Sequence, residues 1–571
     1  MKRRHGLLLF LLLASCAVTP PPAVVPQQPL HVVIVGTTDV HGWFAGHADK
    51  TTRTGGLAIF KSYVDALRAE DPGRVLLVDS GDLFQGTLES NVFEGEPVVR
   101  GYNALGYAAA AIGNHEFDFG PVGPAPVAQK PGDDPLGALK KNVADSKFAF
   151  LSANTTEKAT GQTPSWVKRS VLVDAGGAKV GIIGLSTPET PKVTMAANVF
   201  SLDFGDPVAA TLREAADLRK RGADAVIVIA HMGGKCGDMN DPADVASCEV
   251  DQEAMRFLEA LPAGTIDAYF AGHTHQQMRQ LVHGVPAMQA LAYSNEFSSL
   301  DLWIDPAAHK VVKFEQRPHT SICEQVYSGT ERCDARAATK EATLVPRVFH
   351  GRTIRADAQM AALFQPYLDK VAAIRNEPLH ITTAAPIKRN RYRESPLGNL
   401  VSDALRIATG ADVAVFNSGG IRADLRAGDL VYSDIFEVSP FDNYPAVVTM
   451  SGAQLRDMLR IMSSGDTGIL QVSGLRYTVD GARPKGDRLT EVSIDPNATY
   501  RVAMPDFLAA GGEGLSALLA SVPPANVRVD QSRPIRDLII PALQKMPQPL
   551  DPKVEGRITV LNPSTPATSR E

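Results

Sequence analysis

Five times between residues 31 and 275, an apolar, β-branched run stops abruptly in a short cluster of polar residues. The segments are HVVIVGTTDVH (31–41), VLLVDSGD (75–82), AAIGNHEFD (110–118), AVIVIAHMG (225–233) and AYFAGHTH (268–275). Short runs of Val, Ile, Leu and Ala bounded by Gly and Asp read as strands buried on both faces. Helical stretches lie between them, among them Leu57 to Arg68 and Pro207 to Lys220. Strands alternating with helices predict an α/β domain, with functional groups gathered in loops along one sheet edge. Every polar cluster here follows its strand on the C-terminal side, a regularity that packing alone does not produce.

A chain of 571 residues exceeds one hydrophobic core, so a second domain is expected. Met360, Leu363, Phe364, Tyr367, Val371 and Ile374 recur at spacings of three and four, which predicts an amphipathic connecting helix over 355–376. Strand candidates follow at Asp412–Phe416, Ala446–Met450 and Arg501–Ala503, with helices at Pro396–Thr409 and Gly452–Met462. The reading is a first domain over 30–345 and a smaller α/β or α+β domain over 378–561. Residues 562–571 form a polar tail expected to be disordered.

The first residues read as a targeting segment. Lys2, Arg3 and Arg4 precede Leu7 to Leu13, an apolar run too short to span a bilayer, which suits a signal peptide. Leu13-Ala14-Ser15-Cys16 resembles a bacterial lipobox, making 1–16 the signal and Cys16 the lipidation site. Residues 17–29, AVTPPPAVVPQQP, suit a semi-rigid tether. The expectation is an exported lipoprotein on the periplasmic face of the outer membrane, touching the membrane through its anchor only. Four cysteines then remain, and an oxidising compartment favours disulfides. Three connectivities are open; the sequence-local pairs Cys236–Cys248 and Cys323–Cys333 are expected, and the absence of any CxxC disfavours a zinc knot. The net charge of −6 argues against a polymeric nucleic-acid partner, which needs a basic footprint.

The strand-end residues carry the chemistry: Asp39, His41, Asp82, Asn114, His115, His231, His273 and His275. Such nitrogen and oxygen donors hold divalent Zn, Mn, Fe or Co. Each cluster alone is weak evidence, since a strand-end histidine commonly serves as a hydrogen-bonded structural residue; five together are not. Two-metal sites need a bridging carboxylate. Asp82 is the bridge candidate, and Asp79 is read as orienting its loop. A metal pair lowers the pKa of a shared water and creates a hydroxide for in-line attack on phosphorus.

TTDVHG, DSGDLFQGT, GNHEFDFG, IAHMG and AGHTH resemble, in order, the metal motifs of the calcineurin-like metallophosphatases. With NSGGIRADL, the set is similar to the 5'-nucleotidase family, including its periplasmic UDP-sugar hydrolase members. The resemblance covers about residues 31–561. It implies a four-layer αββα metallophosphatase domain joined by a helix to the C-terminal substrate-binding domain. It implies one metal held by Asp39, His41, Asp82 and His275, and another by Asp82, Asn114, His231 and His273. His115 would be a non-ligand polarised by Asp118, and the catalytic set would be His115, Asp118 and Asn114. Some family members carry an amide where His275 stands.

The second half supplies substrate contacts. Arg391 and Arg393 in RYRESPLGN and Arg422 in NSGGIR are guanidinium forks suited to phosphate. Asn417 suits a base or ribose, and Phe441 and Phe507 suit stacking on a nucleobase, although core packing is the simpler fate of any one Phe. By resemblance Arg391, Asn417, Arg422, Phe441, Phe507 and Glu513 line a nucleoside pocket. Family members generally carry Asp at the position of Glu513, and often Asn at that of Ala510, so the preferred nucleotide stays open. The expected activity is release of phosphate from nucleotides by a monomer, with UDP-sugar hydrolysis as an extension. The competing readings are a 2',3'-cyclic nucleotide phosphodiesterase with 3'-nucleotidase activity, a hydrolase of protein-bound thiosulfonate, and a lipoprotein that only binds.

Overall fold

The computed structural model describes residues 28–48, 53–333, 343–463 and 468–563. The signal segment with Cys16, the tether up to residue 27 and the tail from residue 564 lie outside the described residues.

The strand-end pattern builds two stacked sheets. The first has the order Lys310–Gln316, Glu296–Asp305, Leu30–Thr37, Val75–Asp79, Ala109–Ala111, Ala149–Leu151, with Thr320–Ser321 paired to the second of these. The second runs Met278–Val282, Val285–Gln289, Ala268–Ala271, Ala225–Ala230, Ala178–Leu185, Ser170–Ala175. All five polar clusters follow strands with parallel neighbours, so every cluster emerges at the same edge of its sheet.

Alternation along each strand explains the burial on both faces. Val32 and Ile34 point into the layer between the sheets with Val78, Ile182, Ile227 and Phe270. Val33 and Val35 point outward to the helices Leu57–Glu70 and Glu96–Leu105. The helices Pro207–Lys220 and Glu253–Ala260 cover the other sheet. The result is a four-layer αββα domain. Gly36 permits close stacking at its centre, because a Cβ there would sit 2.4 Å from the Phe270 ring.

The connector is the helix Ala358–Arg375, begun by the Asp357 carboxylate accepting the Met360 N–H at 2.8 Å. It buries Met360, Phe364, Tyr367 and Val371. Ile374, expected on that apolar face, is instead 44% exposed. Past Val371, which meets Leu88 and Phe436, the residues Ala372, Ala373 and Ile374 are all exposed. Arg375 there pairs with Glu89.

The C-terminal domain centres on a five-stranded mixed sheet ordered Leu470–Ser473, Val413–Asn417, Thr499–Pro505, Pro445–Ser451, Val527–Val529. Pro396–Thr409 and Ile535–Lys545 pack on one face, Gly452–Met462 on the other. Both expected disulfides, Cys236–Cys248 and Cys323–Cys333, are formed. Among the described residues no helix is long and apolar enough to cross a membrane.

Candidate active site between two domains

Five of the strand-end residues adopt the left-handed backbone region: Asp39 (φ 51°), His41 (49°), Asp82 (60°), His273 (79°) and His275 (53°). For residues with a Cβ this costs on the order of 1–3 kcal/mol each and persists only where the surroundings enforce it. The enforcing bonds are visible. Asp39 N–H donates to the Gly81 carbonyl and His41 N–H to the Asp82 carbonyl, each at 2.9 Å. Asp79 accepts from Gly81 N–H at 2.8 Å, Thr37 Oγ1 at 2.6 Å and the Tyr102 hydroxyl at 2.7 Å, which is the loop-orienting role expected of it. Glu116, fully buried, accepts the N–H groups of Asp82, Leu83 and Gly113 at 2.9, 2.6 and 2.7 Å. It ties the Asp82 loop to the Asn114 loop, and burial pushes its carboxyl up to about 8.

This strained scaffold aims donor atoms at one another. Asp39, His41, Asp82 and His275 offer ligand atoms that all lie within 4.8 Å of one another, as do those of Asp82, His231 and His273. Asp82 belongs to both groups. Its Oδ2 lies 3.0 Å from His231 Nε2 and 3.6 Å from His41 Nε2. Asn114 joins the second group, with Oδ1 3.1 Å from His231 Nε2; its Nδ2 donates to the Val193 carbonyl at 3.0 Å, which fixes the oxygen inward.

The donor set fits divalent cations. His41 Nδ1 faces the Gln85 carbonyl at 2.7 Å and His231 Nδ1 the Ser80 carbonyl at 2.9 Å, so both Nδ1 atoms carry the hydrogen. The Nε2 of neutral His41 therefore presents a lone pair, 3.1 Å from His275 Nε2 and facing the Asp82 carboxylate. Such crowding of lone pairs is stable around a cation, and carbonyl-oriented imidazoles are the usual outer support of a metal ligand. Burial and the Arg422 charge hold His41 and His275 well below the usual histidine range. Burial and the neighbouring His231 take His273 down to about 3. His231 goes the other way: burial resists its charge, yet the carboxylates of Asp82 and Asp39 raise it to about 10. The carboxylate charge that holds a proton on His231 would attract a cation in its place.

His115 stands beside this cluster without joining either group. Its Nδ1 lies 2.6 Å from Asp118 Oδ2, and its backbone N–H donates to Asp82 Oδ1 at 2.9 Å. Burial lowers its affinity for a proton, but the Asp118 and Asp82 charges outweigh burial and raise it. The ring centroid lies 5.2 Å from that of His41 and 5.5 Å from that of Phe441, so a residue of the second domain reaches His115.

The second domain continues the site. Arg422 Nη2 approaches His41 Nε2 at 3.3 Å, and its guanidinium lies 5.7 Å from the Phe441 ring centre. Asp82, Asn114, His115, His273 and His275 line one cavity of about 1100 Å³ together with Arg391, Asn417, Arg422, Phe441, Phe507 and Glu513. Phe441 and Phe507 both face it without a ring contact to each other. Asn417 is buried, donates to Glu513 Oε1 at 3.4 Å and leaves its Oδ1 without a partner. That oxygen is an acceptor placed for a ligand N–H or hydroxyl.

Residues 32–277 match the calcineurin-like phosphoesterase family model, and residues 370–520 match that of the 5'-nucleotidase C-terminal domain. The chain belongs to the calcineurin-like phosphoesterases with a 5'-nucleotidase C-terminal domain. Proteins of this kind are hydrolases of phosphoric monoesters. The chain is 28% identical over 518 residues to a 5'-nucleotidase of Vibrio cholerae, covering 85% of each. It is 29% identical over 518 residues to protein UshA of Yersinia enterocolitica, covering 85% of this chain and 86% of that one. Its fold superposes on the crystal structure of a 5'-nucleotidase precursor from Thermus thermophilus with a TM-score of 0.75 at 24% identity, covering 93% of this chain and 100% of the other.

Within this phosphoesterase frame one expected contact is corrected. Arg393 is exposed and does not line the cavity. The RYR segment would present Arg391 and Arg393 on one face if extended, but it turns: Asn390 Oδ1 accepts the Tyr392 N–H at 2.9 Å, and Tyr392 with Arg389 faces the cavity instead. Two further side chains at the site were not singled out from the sequence. Tyr293 packs on His41 and His275 with ring centroids 5.6 and 5.3 Å away. Gln85 lines the cavity, buried, with neither end of its amide paired. Its place in DSGDLFQGT was the one available hint.

Proposed function

We propose that the protein is an exported nucleotidase that uses two divalent metal ions to release phosphate from nucleoside monophosphates, with UDP-sugars as further substrates. The observation that carries this reading is the single cavity shared by the N-terminal donor cluster and the C-terminal arginines and phenylalanines. The nucleoside preferences rest on that cavity and on the similarity to 5'-nucleotidases.

Asp39, His41, Asp82 and His275 would hold one ion, and Asp82, Asn114, His231 and His273 the other. Bound ions would supply charge neutralisation at phosphorus and an activated water. The chain's own groups do the rest. Arg422 and Arg391 draw the phosphate to the cluster and balance its charge. Phe441 and Phe507 hold the base, and Asn417 Oδ1 accepts from the nucleoside. As the water oxygen bonds to phosphorus, the bond from phosphorus to the ribose oxygen breaks. His115, kept protonated by Asp118, gives that leaving oxygen its proton. The lipobox at Cys16 supports export and anchoring, and the two disulfides suit an oxidising compartment.

The test is phosphate release from AMP, UMP, 3'-AMP, 2',3'-cyclic AMP, ATP and UDP-glucose with several divalent metals. The reading expects 5'-monophosphates to lead in kcat/KM. A preference for 2',3'-cyclic AMP and 3'-AMP would overturn it.

A further inference from the structure

Asp118 has two carboxylate oxygens and two side-chain hydrogen-bond partners. Oδ2 lies 2.6 Å from His115 Nδ1, and Oδ1 accepts the hydroxyl of Thr194 at 2.8 Å. The torsion that turns a carboxylate is broad, so one bond to histidine does not by itself fix the plane of the group. Thr194 does. It is buried, extended (φ −133°), and β-branched, which limits the directions its hydroxyl can take.

Thr194 belongs to a strap after the strand Ala178–Leu185 that is tied down at both ends. Thr187 donates to Glu253 Oε1 at 2.8 Å, and the Asn198 amide donates to the carbonyls of Phe117 and Pro126 at 2.8 and 2.9 Å. Between these ties the strap meets the catalytic loop twice in succession, through the Val193 carbonyl on Asn114 and the Thr194 hydroxyl on Asp118. None of these strap residues belongs to a motif that marks the metal cluster.

We propose that Thr194 is a positioning residue for catalysis: its hydroxyl sets the Asp118 carboxylate and thereby the orientation of His115. The inference rests on His115 being the proton donor to the leaving oxygen. Its consequence is a dependence on leaving group. A group that leaves readily without a proton tolerates a misplaced His115, and a poor one does not.

The experiment compares Thr194→Val and Thr194→Ala, which remove the hydroxyl, with Thr194→Ser, which keeps it. Each is assayed on phenyl phosphate and p-nitrophenyl phosphate, alone and with His115→Ala, with metal per chain measured throughout. Loss of a bond to a charged group corresponds to roughly tenfold or more in rate. The expected result is a kcat lowered about tenfold on phenyl phosphate for Val and Ala, a smaller loss on p-nitrophenyl phosphate, unchanged KM and metal content, and near wild-type behaviour for Ser. In the His115→Ala background the Thr194 changes should have little further effect. Equal losses on both esters, loss of metal in both hydroxyl-free variants, or a penalty that survives undiminished in the His115→Ala background would overturn the proposal. A normal defect in His115→Ala beside silent Thr194 variants would defeat this inference alone. An unimpaired His115→Ala would defeat the proton-donor reading and this inference with it.

Discussion

Asp82→Asn is the substitution most diagnostic of the metal centre, because the structure allows it to change charge and little else. Asn tolerates the left-handed backbone found at Asp82 (φ 60°) better than most residues. Its Oδ1 can keep accepting the His115 N–H now held at 2.9 Å. What disappears is a negative charge beside His231 and His41, in the only side chain common to both donor groups among the described residues. Unit charges about 4 Å apart interact by about 4 kcal/mol at an effective dielectric of about 20, and about 1.4 kcal/mol is tenfold. Metal affinity should therefore fall by roughly a thousandfold or more, the ions being divalent, with both affected. Elemental analysis of metal per chain, beside phosphate release and a melting curve, measures it. His275→Ala is the comparison, expected to weaken one ion chiefly. A folded, metal-replete and fully active Asp82→Asn protein would refute the shared-carboxylate assignment.

His115→Ala should leave metal content near wild type and lower turnover by roughly 10²–10⁴-fold, as for loss of a general acid; metal loss in step with activity would make His115 structural. Asp118→Asn should move the alkaline fall of kcat to lower pH. Burial disfavours the His115 charge and Asp118 restores it, so without that carboxylate the proton leaves earlier; an unmoved alkaline limb would contradict the pairing. Glu116→Ala leaves three buried N–H groups without their acceptor, at about 1–3 kcal/mol each; melting should fall by several degrees together with metal content, and a neutral outcome would show that the loops hold themselves. Cys16→Ser should release the protein from membranes with unchanged specific activity, and continued membrane association would reject the lipobox reading.

The sequence was most legible where one residue type does one job. Buried parallel strands must be apolar throughout, so their ends showed wherever Asp or His interrupted a run, and all five clusters meet in space. The helices Pro396–Thr409 and Gly452–Met462 fall on the expected residues because Ser395 and Ser451 cap them visibly. What stayed hidden depends on tertiary contact. Glu116 acts through three backbone amides contributed by two loops, Thr194 through a carboxylate 76 positions away, and neither requirement leaves a spacing in the chain. Arg393 failed for a local reason: its guanidinium type suited phosphate, but the chain turns at Asn390 and leaves Arg393 exposed while Arg391 lines the cavity.

On the proposed function, one cavity joins phosphoryl chemistry from the first domain to nucleoside recognition by the second. Phe507→Ala separates the two. Phe441 also touches the His115 ring, whereas Phe507 packs on Gly512 and makes no ring contact with a histidine among the described residues, so its loss isolates base binding. The measurement is the ratio of kcat/KM for AMP to that for p-nitrophenyl phosphate, which offers no base. Stacking contributes about 1–3 kcal/mol per base, so the ratio should fall about 5- to 150-fold, mainly through KM for AMP. A ratio equal to that of the wild type would leave a metal-dependent phosphoesterase and remove the nucleotide from its function.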